Sequence, residues 1–285
     1  MNDNNLLNFS LDVGAITHPG KIRKNNEDSI LTLSKLGCFA VSDGMGGGEA
    51  GEIASQMAIK SLEQKLNVSG KAPAARERAI IQAAYSANSE IGDYSMSHAY
   101  DSMGATLACL LIDSWNSNFA TLFHAGDSRI YRWRNNSIIN LTRDHTLAEL
   151  EDIPENELPK DKRGILTNVL GISSDFFLER SSCDVQNGDI FLICSDGLYR
   201  MVSDITINKI ISTAGNVACS VIAQLLLSEA LNNGGHDNIS VVLVRVAKIG
   251  PKYIPKDWEI QEEMFIQEQN IDDLSDTLPT EIIDE

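Results

Sequence analysis

Three stretches of the chain carry apolar residues at helical spacing. Residues 49–66 align Ala50, Ile53, Ala54, Met57, Ala58, Leu62 and Leu66, and residues 76–92 align Ala79, Ile80, Ala83, Ala84, Ala87 and Ile91. A third helix is predicted around Val217, Val221, Ile222, Leu225 and Leu226. Short apolar runs bounded by turn residues predict strands at 38–41, 105–112, 119–124, 129–134, 189–194 and 239–246. Polar turns at 113–118 and 134–137 join neighbouring runs. Strands joined so briefly pair antiparallel, with the helices grouped outside them. The pattern therefore predicts an α+β layered domain rather than a doubly wound parallel sheet.

Composition adds compartment and charge. The 285 residues allow one large domain or two small ones, and 43% hydrophobic content is ordinary for a globular chain. Forty acids against 23 basic residues give a net charge of −17, which disfavours nucleic acid and anionic membrane as partners. Residues 251–285 hold eleven acids and two lysines, a net −9, leaving −8 for residues 1–250. The sequence thus divides into a domain over 1–250 and an acidic, flexible tail over 251–285, where Thr277 and Thr280 sit among acids as docking or phosphorylation candidates. No signal-peptide pattern or apolar run of membrane-spanning length is seen, so a cytoplasmic protein is expected. Cys38, Cys109, Cys183, Cys194 and Cys219 are odd in number and scattered, and read as buried reduced thiols.

The chemistry lies in four aspartates at the ends of apolar runs: Asp43, Asp127, Asp196 and Asp237. Asp43 and Asp196 are each followed by glycine, which is expected to let the backbone turn sharply and aim a carboxylate and a carbonyl into one site. One strand-end Asp-Gly is usually only a turn. Four gathered carboxylates repel one another unless a cation joins them, and an all-oxygen donor set selects magnesium, manganese or calcium. The five histidines show no metal-ligand spacing, and Gly-x-Ser-x-Gly, His-Glu-x-x-His, phosphate-loop and EF-hand patterns are missing. Arg23, with Glu27 and Asp28 four and five residues on, offers a planar fork for phosphate oxygens. Carboxylate-held metal plus arginine points to phosphoester hydrolysis.

These strings together resemble the PPM family, the metal-dependent type 2C serine/threonine protein phosphatases, in its bacterial form. They run Gly20-x-x-Arg23-x-x-Asn26-Glu27-Asp28, Val41-Ser-Asp43-Gly-Met-Gly-Gly47, Gly51-Glu-x-Ala-Ser55, Gly104-Ala-Thr106 and Gly126-Asp127-Ser-Arg129-x-Tyr131. Leu141-Thr-x-Asp144-His145, Asn168-Val-Leu-Gly171, Gly188-Asp189, Cys194-Ser-Asp196-Gly197-Leu198 and Asp237-Asn238 follow in order. The resemblance implies a four-layer αββα sandwich, two central antiparallel β-sheets flanked by antiparallel helices, with a metal centre at one end. It implies that Asp43 bridges two manganese or magnesium ions and that Gly44 offers its carbonyl. Asp196 and Asp237 would complete one ion's site, and Glu27 and Asp28 would help the other through waters. Asp127 with Asp196 would hold a third ion, Arg23 would hold the substrate phosphate, and 147–163 would form a mobile flap.

The implied reaction is direct hydrolysis of phosphoserine or phosphothreonine by a metal-bridging water, without a phosphoenzyme. Where some relatives carry a histidine after the Asp-Gly, this chain has Met45, which donates no proton. A Ser/Thr kinase and its targets are the implied partners, with a monomer as the default state. A phosphoprotein-binding pseudophosphatase, a phosphodiesterase or nucleotidase, and an anti-sigma-pathway phosphatase are the competing readings. The first is disfavoured because every expected carboxylate and Arg23 are present. The second lacks an aromatic cage for a base, and the third lacks a sensory or membrane module.

Overall fold

The computed structural model describes residues 9–46, 49–70, 72–100, 102–113, 119–172 and 175–249. The tail over 251–285 and the turn through 114–118 lie outside the described residues, as does Gly47. The strands are β1 (Phe9–His18), β2 (Asp28–Leu33), β3 (Cys38–Met45), β4 (Gly104–Ala105), β5 (Leu107–Asp113) and β6 (Phe119–Ala125). They continue with β7 (Arg129–Arg134), β8 (Ser137–Asn140), β9 (Glu179–Asp184), β10 (Ile190–Cys194) and β11 (Ile239–Ile249). The helices are α1 (Glu49–Asn67), α2 (Pro73–His98), α3 (Leu147–Glu151), α4 (Asp196–Tyr199), α5 (Asp204–Ala214) and α6 (Cys219–Asn232).

The strands form two sheets in which neighbours pair antiparallel, with orders β1-β11-β10-β7-β8 and β2-β3-β5-β6-β9, and β4 added beside β3. Phe39, Val41, Leu110, Leu122, Phe191, Ile193, Val242 and Val244 meet between the sheets. Cys38, Ala40, Cys109, Leu111 and Phe123 point the other way, under α1 and α2. Tyr131, Leu192, Cys194, Val241 and Leu243 pack under α5 and α6. The result is the expected four-layer αββα sandwich. Central strands covered on both faces need apolar residues at successive positions, which is why β3, β5, β10 and β11 read as continuous runs rather than alternations.

The sequence expectations fail at the margins. The four edge strands β1, β2, β8 and β9 lie outside the predicted runs, because their partly exposed faces keep polar residues. α5 was missed as well. The second predicted helix extends to Pro73–His98, opened by Pro73 at its first turn and closed at Ala99 with φ 54°. In α6 the predicted stripe is rotated: Cys219, Ile222, Ala223, Leu226, Leu227 and Ala230 are buried, whereas Val221 and Leu225 are exposed, and Val217 lies exposed ahead of the helix. The turn at 134–137 stands as predicted, with Asn135 and Asn136 both at positive φ joining β7 to β8. All five cysteines are free thiols, but Cys183 is only half-buried, on the edge strand β9. Among the described residues no helix is long and apolar enough to cross a membrane.

Phe39 is wholly buried between the sheets and Ile205 is 83% exposed. Phe39→Ala is expected to cost about 3–5 kcal/mol and Ile205→Ala less than about 0.5 kcal/mol, read by denaturant unfolding.

Candidate metal centre

Antiparallel pairing brings one set of strand ends to one end of the sandwich. Asp43 lies near the end of β3, and the β2–β3 register sets Asp28 directly opposite it. Asp127 sits in the turn from β6 to β7, Asp196 opens α4 straight after β10, and Asp237 precedes β11. The loop from β1 to β2 adds Arg23 and Glu27. A cleft of about 350 Å³ is lined by Arg23, Glu27, Asp43, Gly44, Met45, Asp127, Asp196, Arg200 and Asp237, among others. Every residue expected at the site is therefore in the cleft or, for Asp28, paired beside it. Met45 lines the cleft and no histidine does.

Backbone constraints hold this arrangement. Thr106 clamps Asp43: its N–H donates to the Asp43 carbonyl at 2.8 Å, and its Oγ1 accepts from the Asp43 N–H at 2.9 Å. Ser195 Oγ donates to Asp28 Oδ2 at 2.7 Å and accepts from the Ser240 N–H at 3.0 Å. The Asn238 side chain pins the Arg23 loop, accepting from the Glu27 N–H (2.8 Å) and donating to the carbonyls of Pro19 (3.1 Å) and Asn25 (2.8 Å). The glycines after Asp43 and Asp196 do not have the expected role. Neither has positive φ; Gly44 lies in β3 and Gly197 in α4. Each is required for close approach, since a Cβ on Gly44 would strike the Gly51 backbone and one on Gly197 the Asn238 carbonyl.

Burial and mutual repulsion dominate the electrostatics. Burial, with Asp237 nearby, lifts Asp28 to about 6 against hydrogen bonds from Ser240 and Ser195. Burial and then Asp127 lift Asp196 to about 7, against the opposing Arg200. Asp43 is held well above the usual carboxylate range by burial and by Asp28, Asp196, Asp127 and Asp237. Asp127 is raised by burial and lowered by Arg200. Arg23 donates to Asp237 Oδ2 at 2.8 Å.

Asp28 Oδ1 is buried with no hydrogen-bond partner. An orphaned carboxylate oxygen among repelling carboxylates, with only oxygen donors around it, fits hard divalent cations.

A second potential ligand group lies behind the Asp127 turn, where atoms of His124, His145 and Glu179 come within 4.8 Å of one another. Its hydrogen bonds argue against a metal. His124 Nε2 donates to the Ser128 carbonyl at 2.8 Å, so its Nδ1 faces Glu179 at 3.5 Å. His145 Nδ1 accepts from the N–H of Gly126 (3.2 Å) and from Asn168 Nδ2 (2.9 Å), which leaves its proton on Nε2, toward Glu179 at 3.3 Å. Binding a metal there would require removing that proton. The group supports the turn instead. Asp144 works with it: it grips Arg129 at 2.7–3.2 Å, Arg129 lies over the Tyr199 ring at 3.6 Å, and Tyr199 donates to Asp127. Sequence reasoning singled out no role for Ser195, Tyr199 or Arg200, and quoted Thr106 and Asn238 only within strings. Ser195, Tyr199, Arg200 and Asn238 lie close in sequence to Asp196 or Asp237, a local signal that Thr106, 63 residues from Asp43, lacks.

An αββα sandwich with an all-oxygen acidic centre at one end, bordered by arginines, is the architecture of the metal-dependent protein phosphatases. Residues 22–232 match the family described as protein phosphatase 2C, and the chain belongs to that family. It is 35% identical over 234 residues to the serine/threonine protein phosphatase PstP of Mycobacterium tuberculosis, covering 80% of this chain and 43% of that one. The chain thus spans less than half the length of that relative. It is 30% identical over 243 residues to the serine/threonine phosphatase stp of Listeria monocytogenes, covering 80% of this chain and 93% of that one. Among solved structures, the PstP catalytic domain in complex with two manganese ions aligns with a TM-score of 0.69 at 31% identity, over 84% of this chain and 99% of that one.

The raised carboxylates give a pH dependence to the chelator-stripped protein. Their folded pKa values exceed the unfolded value of about 4, so their stabilising contribution is full below about pH 4. It is lost as pH rises through about 6 for Asp28 and about 7 for Asp196. Denaturant unfolding with EDTA is expected to show roughly 2–5 kcal/mol less stability at pH 8 than at pH 5. Asp196→Asn should flatten that slope, and manganese should restore stability at pH 8.

Proposed function

We infer that this protein is a metal-dependent protein serine/threonine phosphatase that hydrolyses phosphoserine and phosphothreonine in protein substrates. The observation that carries the reading is the gathering of Asp28, Asp43, Asp127, Asp196 and Asp237 around one cleft, with the Asp28 oxygen left unsatisfied and Arg23 at the rim. In this reading Asp43 would be the ligand common to two manganese or magnesium ions, and the Gly44 carbonyl would join it. Asp196 and Asp237 would complete the ligands of one ion, and Glu27 and Asp28 would serve the other, largely through waters. When bound, such ions would supply Lewis-acid activation of water for direct hydrolysis of the phosphoester.

The chain's own residues do the remainder. Thr106 fixes the Asp43 backbone and Ser195 holds the Asp28 carboxylate, so little reorganisation is needed when charge develops on the phosphoryl oxygens. Arg23, beside Asp237 on the Asn238-pinned loop, would bind the phosphate with its planar fork. Met45 at the cleft wall excludes water and gives no proton, so the leaving alcohol is not protonated from that position. The segment 147–163 borders the cleft as a flap, within a catalytic domain spanning 1–250. The physiological partners are a Ser/Thr kinase and its targets in the cytoplasm, with the protein acting as a monomer.

Asp43→Ala and Asp237→Ala are each expected to lower kcat/KM for p-nitrophenyl phosphate by roughly 10²-fold or more, with circular dichroism unchanged. Arg23→Ala should cost about 10- to 100-fold, mainly in KM, for a phosphothreonine peptide. EDTA should silence the wild type and manganese restore it. Full activity in either purified aspartate variant contradicts the ligand assignment.

A further inference from the structure

Asp127 and Asp196, the pair that the family resemblance assigns to a third ion, already share a cation of the chain's own. Arg200 Nε lies 2.7 Å from Asp196 Oδ2, and its Nη2 lies 3.5 Å from Asp127 Oδ2. Its Nη1 faces Glu155 Oε1 at 3.6 Å, in the segment beside the cleft. One guanidinium thus meets three carboxylates from three elements.

The placement is imposed locally. α4 makes a single turn after Asp196, and the Arg200 N–H donates to the Asp196 carbonyl at 2.9 Å, which sets the two side chains at helical i, i+4 spacing on one face. Val202, the next anchor along the chain, is buried against the outer helices, so this turn is packed rather than free. Tyr199 fixes the other partner, donating to the Asp127 carbonyl at 3.1 Å, with Oδ2 of the same residue at 3.4 Å.

We propose that Arg200 stands in for a third divalent ion on Asp127 and Asp196, so that this chain holds two ions in the Asp43 cleft and none on that pair. The proposal rests on the phosphatase reading and narrows its cofactor requirement. A guanidinium keeps its charge at every pH at which the protein is folded, and its donors match carboxylate oxygens without demanding an octahedral shell. A divalent ion entering between the same carboxylates would have to displace Arg200 or lie against its positive charge. Arg200 is therefore a positioning residue. It fixes the orientation of Asp196 from beside it in the cleft, as a hydrogen-bonded partner orients a metal-ligating carboxylate. Through Glu155 it also ties the flap to the same point, so flap position and Asp196 orientation share one side chain.

The test is manganese-edge anomalous diffraction from crystals of the whole chain grown with Mn²⁺, for the wild type, Arg200→Met and Arg200→Gln. The expected wild-type map has peaks at the Asp43 and Asp237 carboxylates and none within ligand distance of Asp127. Either arginine variant should gain a peak between Asp127 and Asp196, and calorimetry of that variant should add a third binding phase. A peak on Asp127 in the wild type overturns the proposal, and that map alone decides it if the variants do not fold. Folded variants that gain no third peak overturn it too. Absence of peaks at Asp43 as well contradicts the two-ion reading instead, so the two failures are distinguishable.

Discussion

Five carboxylates held together at one end of a protein repel one another, and this repulsion is the constraint around which the rest of the molecule is arranged. Asp28, Asp43, Asp127 and Asp196 are largely removed from water, and their proton affinities rise accordingly. Left alone, such a cluster would spread or take up protons. The sandwich prevents spreading by carrying Asp43, Asp127, Asp196 and Asp237 on or beside covered strands, and by pairing Asp28 on the edge strand β2 directly opposite Asp43. Moving any one of them would disturb a core packed between sheets and helices alike. The cluster is therefore strained electrostatically and rigid mechanically, which is the condition for tight binding of a doubly charged ion.

Rigidity comes from uncharged groups. Thr106, Ser195 and Asn238 are buried polar residues whose donors and acceptors are spent on the backbone and carboxylates of the site. The arginines do something different. Arg23 is half-exposed at the rim and bonded to one carboxylate, whereas Arg200 sits deeper, among three. In the proposed reading the first is placed to exchange its partner for substrate and the second to stay.

Much of this was legible in the sequence, for physical reasons that differ by residue. The central strands announced themselves because a strand buried on both sides must be apolar throughout. Asp43, Asp127, Asp196 and Asp237 stood out as charges at the ends of those runs. β1 and β9 were hidden because edge positions tolerate Ser10, Asp12, Glu179 and Ser181, which break the pattern. The α6 stripe was misphased because Val221 and Leu225 are apolar yet face solvent. The glycines were noticed for the wrong reason: close backbone approach between β3 and α1, or α4 and β11, is a tertiary fact with no local signature. Arg200 carries only a partial local signal, its i, i+4 spacing to Asp196, since its other partner Asp127 is 73 residues away. Its role follows only from the turn that folds α4 back over the β6–β7 connection.

The account stands or falls on whether relief of carboxylate repulsion drives cation binding. The most direct measurement is calorimetric titration of Mn²⁺ into the chelator-stripped protein at pH 6 and pH 8, in buffers of differing ionisation enthalpy. The prediction is tight binding of two ions, with protons released at pH 6 and few released at pH 8, because Asp28 and Asp196 titrate near 6 and 7. Binding without proton release at pH 6, or no tight binding at either pH, would contradict it.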